Sequence, residues 1–311
     1  MTTESNLTVR NEHGTIVALP TICLSLFSDD SLAAVMLSTA DVIERYVKLI
    51  GSDKLAIRYD ADGNDRPLTP NRYARDLKTL RNAQSRQTIE EILYDSAIDE
   101  WVGAYSVSFF GIDPNSEDAE PEEASMLILT LPFDAVTSIG ADALAEEFRQ
   151  MVSVFSRLSY GYASYCLRRT EATSHMATGG INALIARYLG LDPSYLPMQN
   201  KMRGKTFGAH WIDFIGRPLV EKLKRSSIIA DVQHAVVHDL SDGGLMIQNS
   251  KVPALGDVNR RATDIGSMPE TARAIKSLRS RVANFGDPNF NAQDWLARFD
   301  DLEVEDWNNA L

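Results

Sequence analysis

125-SMLILTL-131, 142-DALAEEFRQMVSVFSRL-158 and 160-YGYASYCLR-168 are three consecutive segments whose reading decides the fold. In the middle one Leu144, Phe148, Met151, Phe155 and Leu158 step by four, three, four and three, with charges opposite, so it reads as an amphipathic helix. The flanking segments carry apolar residues on both faces, which suits central strands of a sheet covered by helices. Outward from this unit, Trp101–Phe110 reads as a further strand, joined to Ser125–Leu131 by the polar loop 113-DPNSEDAEPEE-123. That loop has no apolar anchor, which predicts mobility. Near the start, Leu7–Arg10 and Thr15–Phe27 flank the turn 11-NEHG-14 as a hairpin. A helix follows over Ser31–Ile50, with Gly51 to stop it, then a strand at Leu55–Tyr59 and a polar helix over Asn71–Arg81. Downstream the pattern predicts helices at Ile181–Leu189, Pro218–Lys224 and Glu270–Ala283, and strands at Val232–Asp239 and Gly244–Gln248. Strands and helices alternate without strict βαβ order, so the expected class is α+β, a mixed or antiparallel sheet covered by helices. Residues 1–285 read as a single domain, with 95–125 the place where two subdomains would divide, and 286–311 as an acidic C-terminal tail.

The chain has 311 residues, 44% hydrophobic and 24% charged, enough to bury a full core. Its apolar runs are too short to cross a bilayer, and the N-terminus lacks a basic segment followed by an apolar core. These features lead to the expectation of a cytoplasmic protein with no membrane contact. Cys23 and Cys166 are too few for a thiolate metal cage and fit a reducing compartment as small core residues. A formal charge of -12 disfavours direct binding of nucleic acid over a broad surface.

That charge is segregated. From Gln87 to Phe148 there is no lysine or arginine, and fifteen carboxylates occur there. The densest run contributes Glu117, Asp118, Glu120, Glu122 and Glu123, and the tail contributes Asp300, Asp301, Glu303, Glu305 and Asp306. Basic residues gather instead at 201-KMRGKTF-207 and 217-RPLVEKLKR-225. Each run taken singly is ordinary solvated surface, but such asymmetry attracts a basic partner at long range. The ten carboxylates are therefore the candidate partner-binding residues.

Catalytic patterns are sparse. His234 and His238 are four apart in a segment read as a strand, too distant for easy chelation, and no H-E-x-x-H occurs. The turn 60-DADGND-65 lacks the spacing of a calcium loop, so no metal site and no cofactor is expected. Asp213, three residues after His210, could orient an imidazole, but no nucleophile on a sharp elbow accompanies it. A hydrolase or nucleotide-processing enzyme built on that pair is the alternative reading. A regulatory subunit that binds a basic protein is a third.

Two segments, 206-TFGAHWIDFIGRPLVEKL-223 and 244-GLMIQNSKVPALGDVN-259, resemble the type VI immunity family, also described as DUF3396-type. The first motif falls on Gly208, Trp211, Ile212, Phe214, Ile215, Gly216, Pro218, Leu219, Glu221 and Leu223, and the second on Gly244, Met246, Ile247, Gln248, Pro253, Leu255, Gly256, Asp257 and Asn259. The resemblance covers roughly residues 12–285. It implies a cytoplasmic antidote, encoded beside an antibacterial toxin of the type VI secretion system, that blocks the toxin by binding. Several such toxins are nucleases, so the implied partner is a nuclease with a basic face. Trp, Phe and Gly are what strands and tight turns require, so Gly208, Trp211, Phe214, Gly216, Pro253, Gly256, Asp257 and Asn259 are expected to be scaffold.

Overall fold

The spine of the fold is β2 (Ile16–Ser28), whose alternate side chains enter two separate cores. Ile22, Leu24 and Leu26 face one, Cys23 and Phe27 the other. In the computed structural model, which describes residues 4–59, 64–82, 91–96, 102–117, 119–169, 173, 178–193, 201–259, 265–281 and 291–302, β7 (Ser125–Pro132) repeats this division. Leu127, Leu129 and Leu131 enter the first core, Met126 and Ile128 the second. Burial on both faces is what makes these strands almost wholly apolar. β2 pairs antiparallel with β7 from Thr21↔Pro132 to Ser28↔Ser125, and with β8 (Tyr160–Arg168) from Leu19↔Arg168 to Phe27↔Tyr160.

The sheet extends outward on both sides. Beyond β7 lie β6 (Ser106–Phe110), β5 (Glu91–Asp95), β3 (Ile57–Tyr59) and β4 (Asp65–Pro67). Beyond β8 lie β10 (Ile212–Ile215), β12 (Leu245–Gln248) and β11 (Val236–Asp239). A short β1 (Val9–Arg10) folds back on β2, and β9 (Leu191–Asp192) runs parallel to β8, the other pairings being antiparallel. Twelve strands thus form one sheet among the described residues, and β5, β6 and β7, around 95–125, are consecutive in it.

Helices cover both faces. α2 (Leu32–Ile50), α3 (Pro70–Arg81), α4 (Ala135–Ser138) and α5 (Ala141–Val154) fill the first core. α1 (Glu4–Leu7), α6 (Thr178–Arg187), α7 (Arg217–Leu223), α8 (Arg225–Asp231) and α10 (Ala292–Leu296) fill the second. α9 (Met268–Ile275) contributes Met268 and Ala272 to one and Ile275 to the other. The α+β class, with a largely antiparallel sheet between helices, is as the sequence pattern predicts.

Several boundaries differ from the pattern, each for a local reason. α5 ends at Val154 although Phe155 and Leu158 remain buried: Phe155 leaves the helical backbone with ψ 79, and Arg157 at φ 77 lies in the turn before β8. Within 232–239 only Val236–Asp239 is strand; Ile228 and Val232 are four apart and pack as α8 and its end. His234 is therefore off the strand, with its ring Nδ1 2.6 Å from Glu270 Oε1. The closing helix stops at Ile275 and passes through a 3-10 turn, Lys276–Leu278. There the backbone leaves the helix to pair with Thr206, which donates to Leu278 O and accepts from Ser280 N–H. The strand read from Trp101 begins at Ser106, and Trp101 lies outside the described residues, as does the turn 60–63.

Candidate functional site

Most of the motif residues fall in the interior, whereas Pro218, Glu221 and Asn259 are exposed. Trp211 is fully buried, its Nε1–H donating to Ser250 O at 2.9 Å and its ring edge-on to Phe148. Phe214 is fully buried in β10. At Gly216 a Cβ would lie 1.9 Å from Leu158 O, so the close approach of the end of β10 to the turn before β8 requires glycine. Gly208 and Gly256 have φ of 115 and 68, backbone that L side chains rarely adopt. Asp257 accepts two hydrogen bonds from Arg187 and one from Asn259 N–H, closing the turn after the buried Pro253.

The His210–Asp213 pair is part of a buried polar network. Asp213 accepts from Tyr160 OH (2.7 Å), Asn249 Nδ2 (3.0 Å) and the His210 backbone N–H (3.0 Å), while His210 Nδ1 lies 3.2 Å from its Oδ1. The Tyr162 ring stacks on the imidazole at 3.8 Å. Burial, reinforced by the Asp213 charge, pushes the Tyr160 hydroxyl well above its ordinary pKa. Arg298 closes the network from the C-terminal segment, donating to the carbonyls of Leu189, Trp295 and Ala209. Burial lowers its pKa to about 9. His210 and Asp213 are 1% and 0% exposed, so no solute reaches them in this arrangement. The network joins β8 and β10 to the segment that carries Arg298.

The candidate carboxylates divide into distinct settings. In the β6–β7 loop Glu117, Glu120 and Glu122 are exposed and Glu123 is half-buried. Turns of the loop's own backbone shape it, through Ser116 N–H to Asp113 O and Ala119 N–H to Ser116 O. Basic residues brace it: Lys201 Nζ is 2.6 Å from Glu120 Oε2, and Arg203 donates from its backbone to Glu122 O and from its side chain to Glu123 O. The loop that composition predicts to be unanchored is tied to the basic segment. Asp300 is turned inward, ion-paired with Arg279 and Lys276, whereas Asp301 is exposed. The segment bearing it is packed through Trp295, Leu296 and Phe299. Asp118, Glu303, Glu305 and Asp306 lie outside the described residues.

A groove of about 660 Å³ opens at the sheet end where β2 stops, β8 starts and β10 gives way to α7. Phe155 and Leu158 form an apolar floor, and Asp29, Asp30, Asp242, Arg157 and Arg217 line its sides. Its residues come from separated segments, so no sequence window announces it. The signals within reach were the Asp29–Asp30 pair at a strand end and Asp242 in a glycine turn.

In three dimensions the chain is similar to the Pseudomonas aeruginosa T6SS protein PA0821, with a TM-score of 0.72 and 17% identity over 98% of this chain and 90% of that one. At that identity the likeness concerns the fold. No curated protein matches in sequence. The sequence matches the family TsiV, type VI immunity for VRR-NUC, over residues 39–309, which takes in both core motifs, the acidic loop and the docked C-terminal segment. By that match the chain belongs to the TsiV family of type VI immunity proteins.

Proposed function

We propose that this immunity protein acts by binding alone: it forms a tight stoichiometric complex with a VRR-NUC nuclease toxin in the producing cell's cytoplasm and keeps it from DNA. The observation that carries this reading is the family match over residues 39–309. Charge supports it. A nuclease that grips DNA presents lysines and arginines to phosphates, and carboxylates on a rigid protein can occupy the same surface. Glu117 and Glu122 in the β6–β7 loop are exposed and available for that encounter. The burial of His210 and Asp213 favours a non-catalytic antidote over a hydrolase. Among the described residues no helix is long and apolar enough to cross a membrane.

The test is to express the nuclease alone and together with this chain, measure growth, and then pull on a tag. Restored growth with copurification of both chains supports the reading. Unrestored growth with both proteins soluble contradicts it.

A further inference from the structure

Resting on the toxin-binding reading, we infer that the groove between the end of β2 and the start of β8 is a socket for one lysine or arginine side chain of the nuclease, with Asp29 and Asp242 as its anions.

Charge points to a cationic guest. Both cations in the groove are already engaged: Arg157 Nε lies 3.4 Å from Asp30, and Arg217 Nε lies 3.3 Å from Glu221. The two remaining carboxylates are held by neutral groups: Asp29 by the Gly204 amide and the Ser159 hydroxyl, Asp242 by the Gly244 amide. Asp29 Oδ2 accepts from Gly204 N–H at 2.9 Å while its Oδ1 has no hydrogen bond, and Asp242 Oδ1 accepts from Gly244 N–H at 3.0 Å. Neither forms an ion pair among the described residues. Burial pushes the Asp29 carboxyl above its ordinary pKa, against hydrogen bonds from Gly204 and Ser159 and the fields of Arg203 and Lys222. An arriving cation would meet the exposed Asp242 carboxylate directly and add its field to those of Arg203 and Lys222 at Asp29.

Shape agrees with charge. An apolar floor with anions at the sides suits a side chain whose stem is aliphatic and whose head is cationic. The volume lies in the range of ligand-sized clefts, and the lip is set by Arg157, whose carbonyl is held by Ser28 Oγ at 2.7 Å.

Position links the groove to the acidic loop. Arg203 N–H holds Glu122 O of that loop, and the next amide, Gly204 N–H, holds Asp29. The loop and the groove therefore adjoin through two consecutive residues, so a basic partner drawn to one meets the other.

The experiment measures the affinity of a VRR-NUC domain neutralised by this chain for wild type, Asp29→Asn/Asp242→Asn and Ser153→Trp. Ser153 is exposed on the last turn of α5 at the groove edge, so tryptophan there plugs the groove without entering the core. It keeps the test decisive if the double variant fails to fold. The socket predicts that each folded variant binds ~10-fold or more weakly, the loss expected of a central anchor. Wild-type affinity in both variants would overturn the socket while leaving the immunity function standing. No binding by wild type would overturn the binding reading and the socket with it.

Discussion

Trp211 places its whole indole inside the first core, against Phe148, and spends its one polar atom on Ser250 O. Truncating such a side chain costs roughly 3–5 kcal/mol. Trp211→Ala should therefore lower the urea midpoint sharply and leave less soluble protein; an unchanged midpoint would show that the cavity is tolerated. Asp29 has the opposite character. Its folded pKa is raised by burial, so in the window between the ordinary carboxylate value and that raised value the native state holds more protons than the unfolded one. Stability from this group is present below that window and is lost as pH rises through it. Asp29→Asn should melt at or above the wild-type temperature at pH 7, with the advantage shrinking toward pH 4. A residue that costs stability yet sits in a groove is what a binding site leaves behind. Trp211 and Gly216 were legible in the sequence because their demands are local, a ring in an apolar strand and a tight approach. Asp29 was not, because its surroundings come from Ser159, Arg203, Gly204 and Lys222, which only folding brings together.

α10 shows the same limit for an element. The acidic composition of 286–311 reads as a solvated tail, yet Trp295, Leu296 and Phe299 are buried. Arg298 beside them donates to three backbone carbonyls and stacks over the Trp295 ring at 3.6 Å. A few apolar positions in and after a short helix do not make a strong period, and the partners that bury them are remote. Ending the chain at residue 290 removes three side chains worth about 1.5–3 kcal/mol each. The shortened protein should aggregate or melt far lower in a thermal scan; wild-type melting would mean that the segment is an ornament on the core. Elements with long, clean periods, α2, β2, β7 and β8, were legible throughout. β5 was missed because five residues carry little pattern, and α8 because it lacks the first-turn proline that marks the equally short α7.

For the whole molecule, the central fact is an antiparallel sheet held between two helical layers, with carboxylates and cations set side by side at one end. The loop ion pairs there are exposed, so changing Glu117, Asp118, Glu120, Glu122 and Glu123 to glutamine should leave melting nearly unchanged. Association with the nuclease at low salt should slow by about a factor of ten, and the difference should fade as salt is added. Stopped-flow mixing at several salt concentrations reads both. Equal rates at low salt would assign encounter to the groove side alone. A protein that neutralises a nuclease by occupying it must do so molecule for molecule. The most direct measurement adds increasing amounts of this chain to a fixed amount of active VRR-NUC nuclease and follows DNA cleavage. Occupation predicts a linear fall that ends at molar equivalence. Loss of cleavage at far below equivalence would reveal a catalytic inactivator, and undiminished cleavage at excess would contradict the account altogether.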